Sequence, residues 1–270
     1  MEVWAAGSSR ACVGSCLRAT TSPVKLLALD TATSLCGVAV ADTDNNRSAS
    51  RLQTVSTHSD MLLTLISDCL DELALKPADL DGVICGAGPG SFTGLRIGLA
   101  TAKGLCFATG RPLVMVSSLA ALAGRSAGWS TARPVLAVLD AFRAQVYARL
   151  LLPEDGQRQL SPQLQGLLVA QPQLLEDAVW DPTALAALLQ PVAAQLSLCG
   201  AALAKYPVLR LPSAQVLHES ESPDPRELLQ LGLVRLQSGH ADSLMAAVPN
   251  YVCASAAEVN SAAASAAVAQ

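Results

Sequence analysis

From residue 25 the chain breaks into short apolar runs separated by polar turns. Leu26–Asp30 is followed by the turn Thr31–Ser34, Cys36–Val40 by a turn over Asp42–Asn46, and a third short strand is expected near Arg51–Val55, which reads as an antiparallel meander. The period then lengthens. Met61, Leu62, Leu65, Ile66, Cys69, Leu70 and Leu73 recur at helical spacing, with Ser56 or Thr57 placed to cap the helix and Pro77 beyond its end. A strand Gly82–Cys85, a glycine turn, a helix Phe92–Thr109 and a strand Pro112–Val116 complete the order βββαβαβ of a ribonuclease H-like unit.

The opening pattern then returns. Val135–Asp140 is an apolar run ending in Asp, and a short polar turn leads to a second run, Val146–Leu152. Helices are expected near Pro182–Leu189 and Pro225–Gln237, with a strand Gln195–Cys199 between them. The reading is an α/β fold of tandem duplicated ribonuclease H-like units, the plan of the actin-like ATPase (ASKHA) superfamily, with a shorter, degenerate second unit. Its parts are a disordered leader (1–23), an N-terminal unit (24–117), a C-terminal unit (118–252) and an Ala/Ser-rich tail (253–270).

Composition narrows the function classes. With 270 residues, 51% hydrophobic and 15% charged, the chain has enough apolar material for a sizeable core. A net charge of −4 lacks the basic excess that phosphate-backbone binding demands, so any RNA would be held mainly by a partner. The eight cysteines have no paired CxxC spacing and read as small buried residues of a reducing, cytoplasmic protein. No apolar run approaches the roughly 18 residues of a membrane span, so no membrane partner is expected.

The densest chemical signal is Gly86–Gly98, with Gly88 and Gly90 inside it, placed between a buried strand and a helix. Glycines allow a sharp turn there, and the N–H groups of a helix start can hold an anion. The spacing is GxGxxxG, no Lys-Ser/Thr pair closes the segment, and no Asp or Glu stands between Asp81 and Asp140 to take a ribose hydroxyl, so it is neither a dinucleotide fingerprint nor a P-loop. A tight turn with close helix packing explains the glycines equally well. Asp30 and Asp140 end corresponding strands where actin-like kinases keep a magnesium carboxylate, although an Asp before Thr31 and Thr33 also caps its own turn. Arg96 and Lys103 lie seven apart on the following helix; Lys103 reads as a solvated residue and Arg96, beside the glycine turn, as the candidate for a ligand or partner contact. Leu62 stands one turn after His58, so no HxxxH pair is present, and His218 and His240 form no cluster, leaving no metal site and no catalytic set. Gly94, Gly98 and Ala102 form a stripe of small residues suited to close helix contact.

Three segments, KLLALDTATSLCGVAVAD from Lys25, THSDMLLTLISDCL from Thr57 and above all GPGSFTGLRIGLATAKGL from Gly88, resemble the TsaB family, and weaker agreement continues through LDAFRAQVY and VPNYVCASAAEV. The resemblance implies a non-catalytic dimerisation subunit of the complex that forms N6-threonylcarbamoyladenosine in tRNA next to the anticodon. It implies pairing with a TsaD-type catalytic paralogue and a TsaE-type ATPase, contact with tRNA only through the complex, and a homodimer when alone. No cofactor would be tightly bound, ATP being used by the wider complex. In the family the two helices of the first unit form the partner interface; here Met61, Leu62, Leu65, Cys69, Leu95, Gly98, Leu99 and Ala102 are the residues chosen for it. Leu99→Arg or Gly98→Arg is then expected to abolish pairing without unfolding the chain.

Three rivals remain at this point. An ATP-dependent small-molecule kinase of the same superfamily would use Asp30, Asp140 and the glycine turn, with Cys199-Gly-Ala-Ala as its adenosine segment. A metallopeptidase would need paired metal ligands and a positioned Glu. A free-standing structural module would share only the fold.

Overall fold

The computed structural model describes residues 23–54, 58–124, 133–141, 143–153, 160–220 and 222–252, the side chains of 58–60 excepted. Residues 1–22 of the leader, the Ser56/Thr57 cap and the Ala/Ser-rich tail, together with Cys12, Cys16 and Cys253, lie outside these residues.

The meander forms because three strands of alternating or continuous apolar character are joined by turns that cap themselves. β1 (Lys25–Asp30) pairs antiparallel with β2 (Leu35–Asp42), and β2 with β3 (Arg47–Thr54), Asp30 standing opposite Gly37 and Asp42 opposite Arg47. Asp42 Oδ1 accepts the N–H groups of Asp44 and Asn45, closing the second turn. Helix α1 (His58–Glu72) leads to β4 (Gly82–Gly88), α2 (Phe92–Thr109) to β5 (Leu113–Ser117), and β4 and β5 extend the sheet parallel to β1 in the order β3-β2-β1-β4-β5. α2 begins at Ser91, whose hydroxyl accepts the Gly94 N–H, and ends at Gly110 in the left-handed conformation.

The second sheet repeats the plan. β6 (Val135–Asp140), β7 (Val146–Leu151) and β8 (Ala178–Trp180) run antiparallel, and β9 (Ser197–Cys199) and β10 (Gln215–His218) continue parallel to β6, in the order β8-β7-β6-β9-β10. The topology is that of the first sheet; the degeneracy is in length, since β8 and β9 have three residues each. Between its strands lie α4 (Pro162–Ala170), α5 (Pro182–Leu189) and the short α6 (Ala202–Lys205).

Two further helices exchange sheets. α3 (Ser118–Gly124) follows directly from β5 but buries Leu119 and Leu122 against Val135, Ala137 and Leu139 of the second sheet. α7 (Pro225–Gln237) follows β10 but buries Leu228, Leu229 and Leu233 against Leu26, Ala28, Ile84 and Val114 of the first. α1 and α2 cover the opposite face of the first sheet, with Leu62, Ile66, Leu99 and Ala102 packed on Leu27, Leu29, Val83 and Cys85. After α7 the chain returns along the open edge of β5: Asp242 N–H donates to the Leu113 carbonyl at 2.8 Å, and Asp242 Oδ2 accepts the Met115 N–H at 2.7 Å.

Candidate functional site

The turn after β1 and the glycine loop after β4 form one packed joint. Asp30 is fully buried; its Oδ1 accepts the Ala32 N–H at 2.9 Å and its Oδ2 accepts the Ser118 hydroxyl at 2.6 Å. Ser118 Oγ accepts the Gly88 N–H at 3.3 Å, and the Ser91 N–H donates to the Ala32 carbonyl at 2.6 Å. The Thr31 hydroxyl donates to the Gly94 carbonyl at 2.8 Å, which ties the same turn to the first turn of α2. A Cβ at Gly90 would overlap the Ala32 backbone, and one at Gly98 the Thr31 hydroxyl, so this approach requires glycine at both positions.

Three of the cofactor candidates, Asp30, Gly88 and Gly90, are therefore brought together, as a closed joint and not as an open cradle. Asp30 accepts the N–H of the residue two positions on, as an Asp that caps its own turn does. Arg96, the fourth, is exposed but engaged: its Nε donates to the Tyr251 hydroxyl at 3.0 Å, and its guanidinium carbon lies 3.8 Å from the centroid of the Phe92 ring and 5.9 Å from that of Tyr251. The two rings are 5.0 Å apart and tilted by 35°. Asp140 is taken up within its own unit, by Lys205 Nζ at 2.7 Å and the Tyr206 hydroxyl at 2.8 Å. Gly200, in the Cys199-Gly-Ala-Ala segment, has φ +113, and a Cβ there would overlap the Val138 carbonyl; this glycine serves strand packing.

The interface residues need correction. Leu62, Leu65, Cys69, Leu95, Gly98, Leu99 and Ala102 are buried in the chain's own core, and Met61 is half-buried. They lie on the sheet-facing side because the apolar spacing that marks a helix face marks the face turned to its own sheet first. Leu99→Arg and Gly98→Arg would thus place a cation among β1 and β4 side chains and unfold the chain. The outward surface of the same helix pair carries Leu63, 59% exposed, on α1 and Phe107, 86% exposed, on α2, with exposed Ala100 and Gly104 on α2. Gly104 has nothing within 4 Å of an added Cβ. Exposed Asp68 and Asp71 stand on α1, Arg96 and half-buried Lys103 on α2. Sequence spacing could not mark Leu63 and Phe107, each an isolated apolar residue on a polar face.

The five cysteines described, Cys36, Cys69, Cys85, Cys106 and Cys199, are all buried. Burial pushes the Cys36 thiol up to about 11, helped by the neighbouring Asp30 carboxylate, the Cys106 thiol to about 11 and the Cys69 thiol to about 12. Cys85 is raised by burial and by Asp30. Thiols held protonated are poor nucleophiles and poor metal ligands. Among the described residues no three His, Cys, Asp or Glu are gathered to hold a metal ion.

Duplicated five-stranded sheets of one topology, each with its β-meander and two parallel strands, define a tandem ribonuclease H-like protein of the actin-like class. Residues 52–159 match the family described as TsaD: tRNA N6-adenosine threonylcarbamoyltransferase. The chain is 37% identical over 126 residues to the tRNA threonylcarbamoyladenosine biosynthesis protein TsaB of Haemophilus influenzae, a match covering 45% of this chain and 51% of that protein. It is 35% identical over 124 residues to the Escherichia coli protein of the same name, covering 46% and 53%. These matches span about half the length of the curated relatives. The crystal structure of a Pseudomonas aeruginosa protein with similarity to the peptidase YeaZ superposes with a TM-score of 0.68 and 30% identity, over 85% of this chain and 100% of that one. The chain belongs to the TsaB (YeaZ) family.

Proposed function

We propose that the protein serves in the formation of N6-threonylcarbamoyladenosine in tRNA as a non-catalytic docking subunit, pairing through α1 and α2 with a TsaD-type catalytic paralogue in a complex that also recruits a TsaE-type ATPase. The names of its relatives support the pathway. The observation that supports the docking role is the outward surface of α1 and α2: an 86% exposed Phe107 and a 59% exposed Leu63 on helices whose other side is packed on the first sheet. A large side chain so exposed favours removal from water by a partner.

Charge supports the same reading. The described part of α1 offers Asp68 and Asp71, and α2, which has no acidic residue, offers Arg96 and Lys103, so a second helix pair of similar construction can set acid against base across the contact. This surface also suits a homodimer when the paralogue is missing. The chain's own carboxylates near the glycine loop are engaged in the fold, which agrees with chemistry being performed by the partner.

The test is titration of the full chain with the TsaD-type subunit of the same organism, followed by calorimetry and by modification of tRNA in the assembled system. Phe107→Asp and Leu63→Asp are expected to retain the fold and each to weaken binding at least ~10-fold, the loss of about 1.4 kcal/mol or more from a well-buried contact. Wild-type affinity in both variants, or tRNA modification by this chain without the paralogue, would remove the docking-subunit reading.

A further inference from the structure

One carboxylate gathers three separate segments of the chain. Asp177 lies just before β8, in the second unit, and its side chain is 5% exposed. Its Oδ1 accepts the hydroxyl of Ser117, at the end of β5, at 2.8 Å and faces Arg149 NH1, on β7, at 3.4 Å; its Oδ2 accepts Asn250 Nδ2, from the returning C-terminal segment, at 2.9 Å. Asn250 continues the connection, its N–H donating to the Ala87 carbonyl of the glycine loop at 2.7 Å. The next residue, Tyr251, accepts from Arg96 and stacks on Phe92, in the first turns of α2. Pro249 before them is buried.

We propose that residues 249–252 form a clasp, anchored by Asp177, through which the second unit sets the position of the glycine loop and of the N-terminal turns of α2. The geometry gives the clasp two contacts on the first unit, one to the backbone of the loop and one to the Phe92–Arg96 face of the helix, and two on the second unit, Asn250 on Asp177 and Val252 against the apolar cluster of Val135, Ala137 and Leu139. Asn250 and Tyr251 are exposed, so their contacts are hydrogen bonds and one aromatic-cation stack, which makes these two links separable from the stability of the cores, while Val252 adds apolar packing on the second unit. Ser118, which links the loop's Gly88 to Asp30, follows Ser117 directly, so the loop is held on one side by the β5–α3 junction and on the other by the clasp. The consequence for binding rests on the docking reading above: α2 is the helix offered to the partner, and a clasp on its first turns makes the shape of that face depend on the second unit.

The experiment is hydrogen exchange on the free full-length chain, comparing wild type with Asn250→Ala, Asp177→Ala and the double variant. Asn250→Ala removes an exposed side chain and takes one donor from Asp177, whose other oxygen keeps Ser117 and Arg149, so it remains informative even where Asp177→Ala unfolds. Exchange over residues 86–98 is expected to rise by roughly 10-fold in each single variant and no further in the double, with residues 26–29 and 225–237 unchanged. Unchanged exchange over 86–98 in Asn250→Ala, an additive double variant, or a rise spread evenly over the molecule would overturn the clasp. Affinity for the TsaD-type subunit, measured separately, distinguishes the two proposals. Altered exchange with unaltered affinity keeps the clasp and counts against docking through α2.

Discussion

Asp30 accepts the Ala32 N–H and the Ser118 hydroxyl with no exposure to water, so its removal leaves two donors in a buried joint without that acceptor. Asp30→Ala is expected to destabilise the chain by about 3 kcal/mol, read as a lower urea midpoint with an unchanged slope. The buried thiols act on a different axis. Their folded values lie above the ordinary 9.0, at about 11 for Cys36 and Cys106 and about 12 for Cys69, so between pH 9 and 11 the folded state binds more protons than the unfolded one. Stability from these groups is then fully present below about pH 9 and is lost as pH rises through the folded values. The thermal midpoint is expected to fall from pH 9 upward, and Cys36→Ala combined with Cys106→Ala to make that fall shallower. A midpoint flat to pH 11 in the wild type would contradict the protonated-thiol account.

On the scale of elements, α2 shows what two glycines of one helix do. Gly98 faces Thr31 at contact distance, whereas Gly104 faces open space. Gly98→Ala is expected to be strongly destabilising, and Gly104→Ala to stabilise by about 0.5–1 kcal/mol through helix propensity, both read by denaturant titration. Spacing puts Gly98 in the stripe with Gly94 and Ala102 and leaves Gly104 outside it, but does not say which of the two faces a close neighbour. Element limits were more legible. Phe92–Thr109, Val135–Asp140, Pro182–Leu189 and Pro225–Gln237 have the bounds expected from the apolar pattern, and the structure adds the caps Ser91, Asp181 and Asp224 at the three helix starts. Missed were α3, seven residues of mostly Ala and Leu without a polar face, α4, and the short β8 and β10, whose three or four residues give no period to read. The candidate site divided in the same way. The glycine loop and Asp30 stand out as residue types at a strand end, but their partner Ser118 is 88 positions away from Asp30, and Arg96 and Tyr251 are 155 apart. Only the fold brings such pairs together.

For the whole molecule, the exchange of α3 and α7 between the sheets decides what can fold alone. The first sheet presents Leu26, Ala28, Ile84, Val114 and Val116 on the face opposite α1 and α2, and this face is covered by α7, which the chain reaches only after completing the second sheet. The second sheet in turn relies on α3, which follows β5, for cover of Val135, Ala137 and Leu139. A fragment ending at Ser117 therefore has an intact strand order but an uncovered apolar face, and the edge of β5 loses Asp242 as well. Residues 24–117 expressed alone are expected to be insoluble or to bind a hydrophobic dye strongly, while co-expression with residues 118–252 is expected to return a soluble one-to-one complex, since the second fragment carries α3, α7 and the clasp. Intact chain should melt in one transition, because the face of the first sheet opposite α1 and α2 is completed by α7, which belongs in sequence to the other half. Two resolved transitions, or a soluble and cooperatively folding 24–117 fragment, would show that the sheets are independent and that α7 covers a face already stable without it.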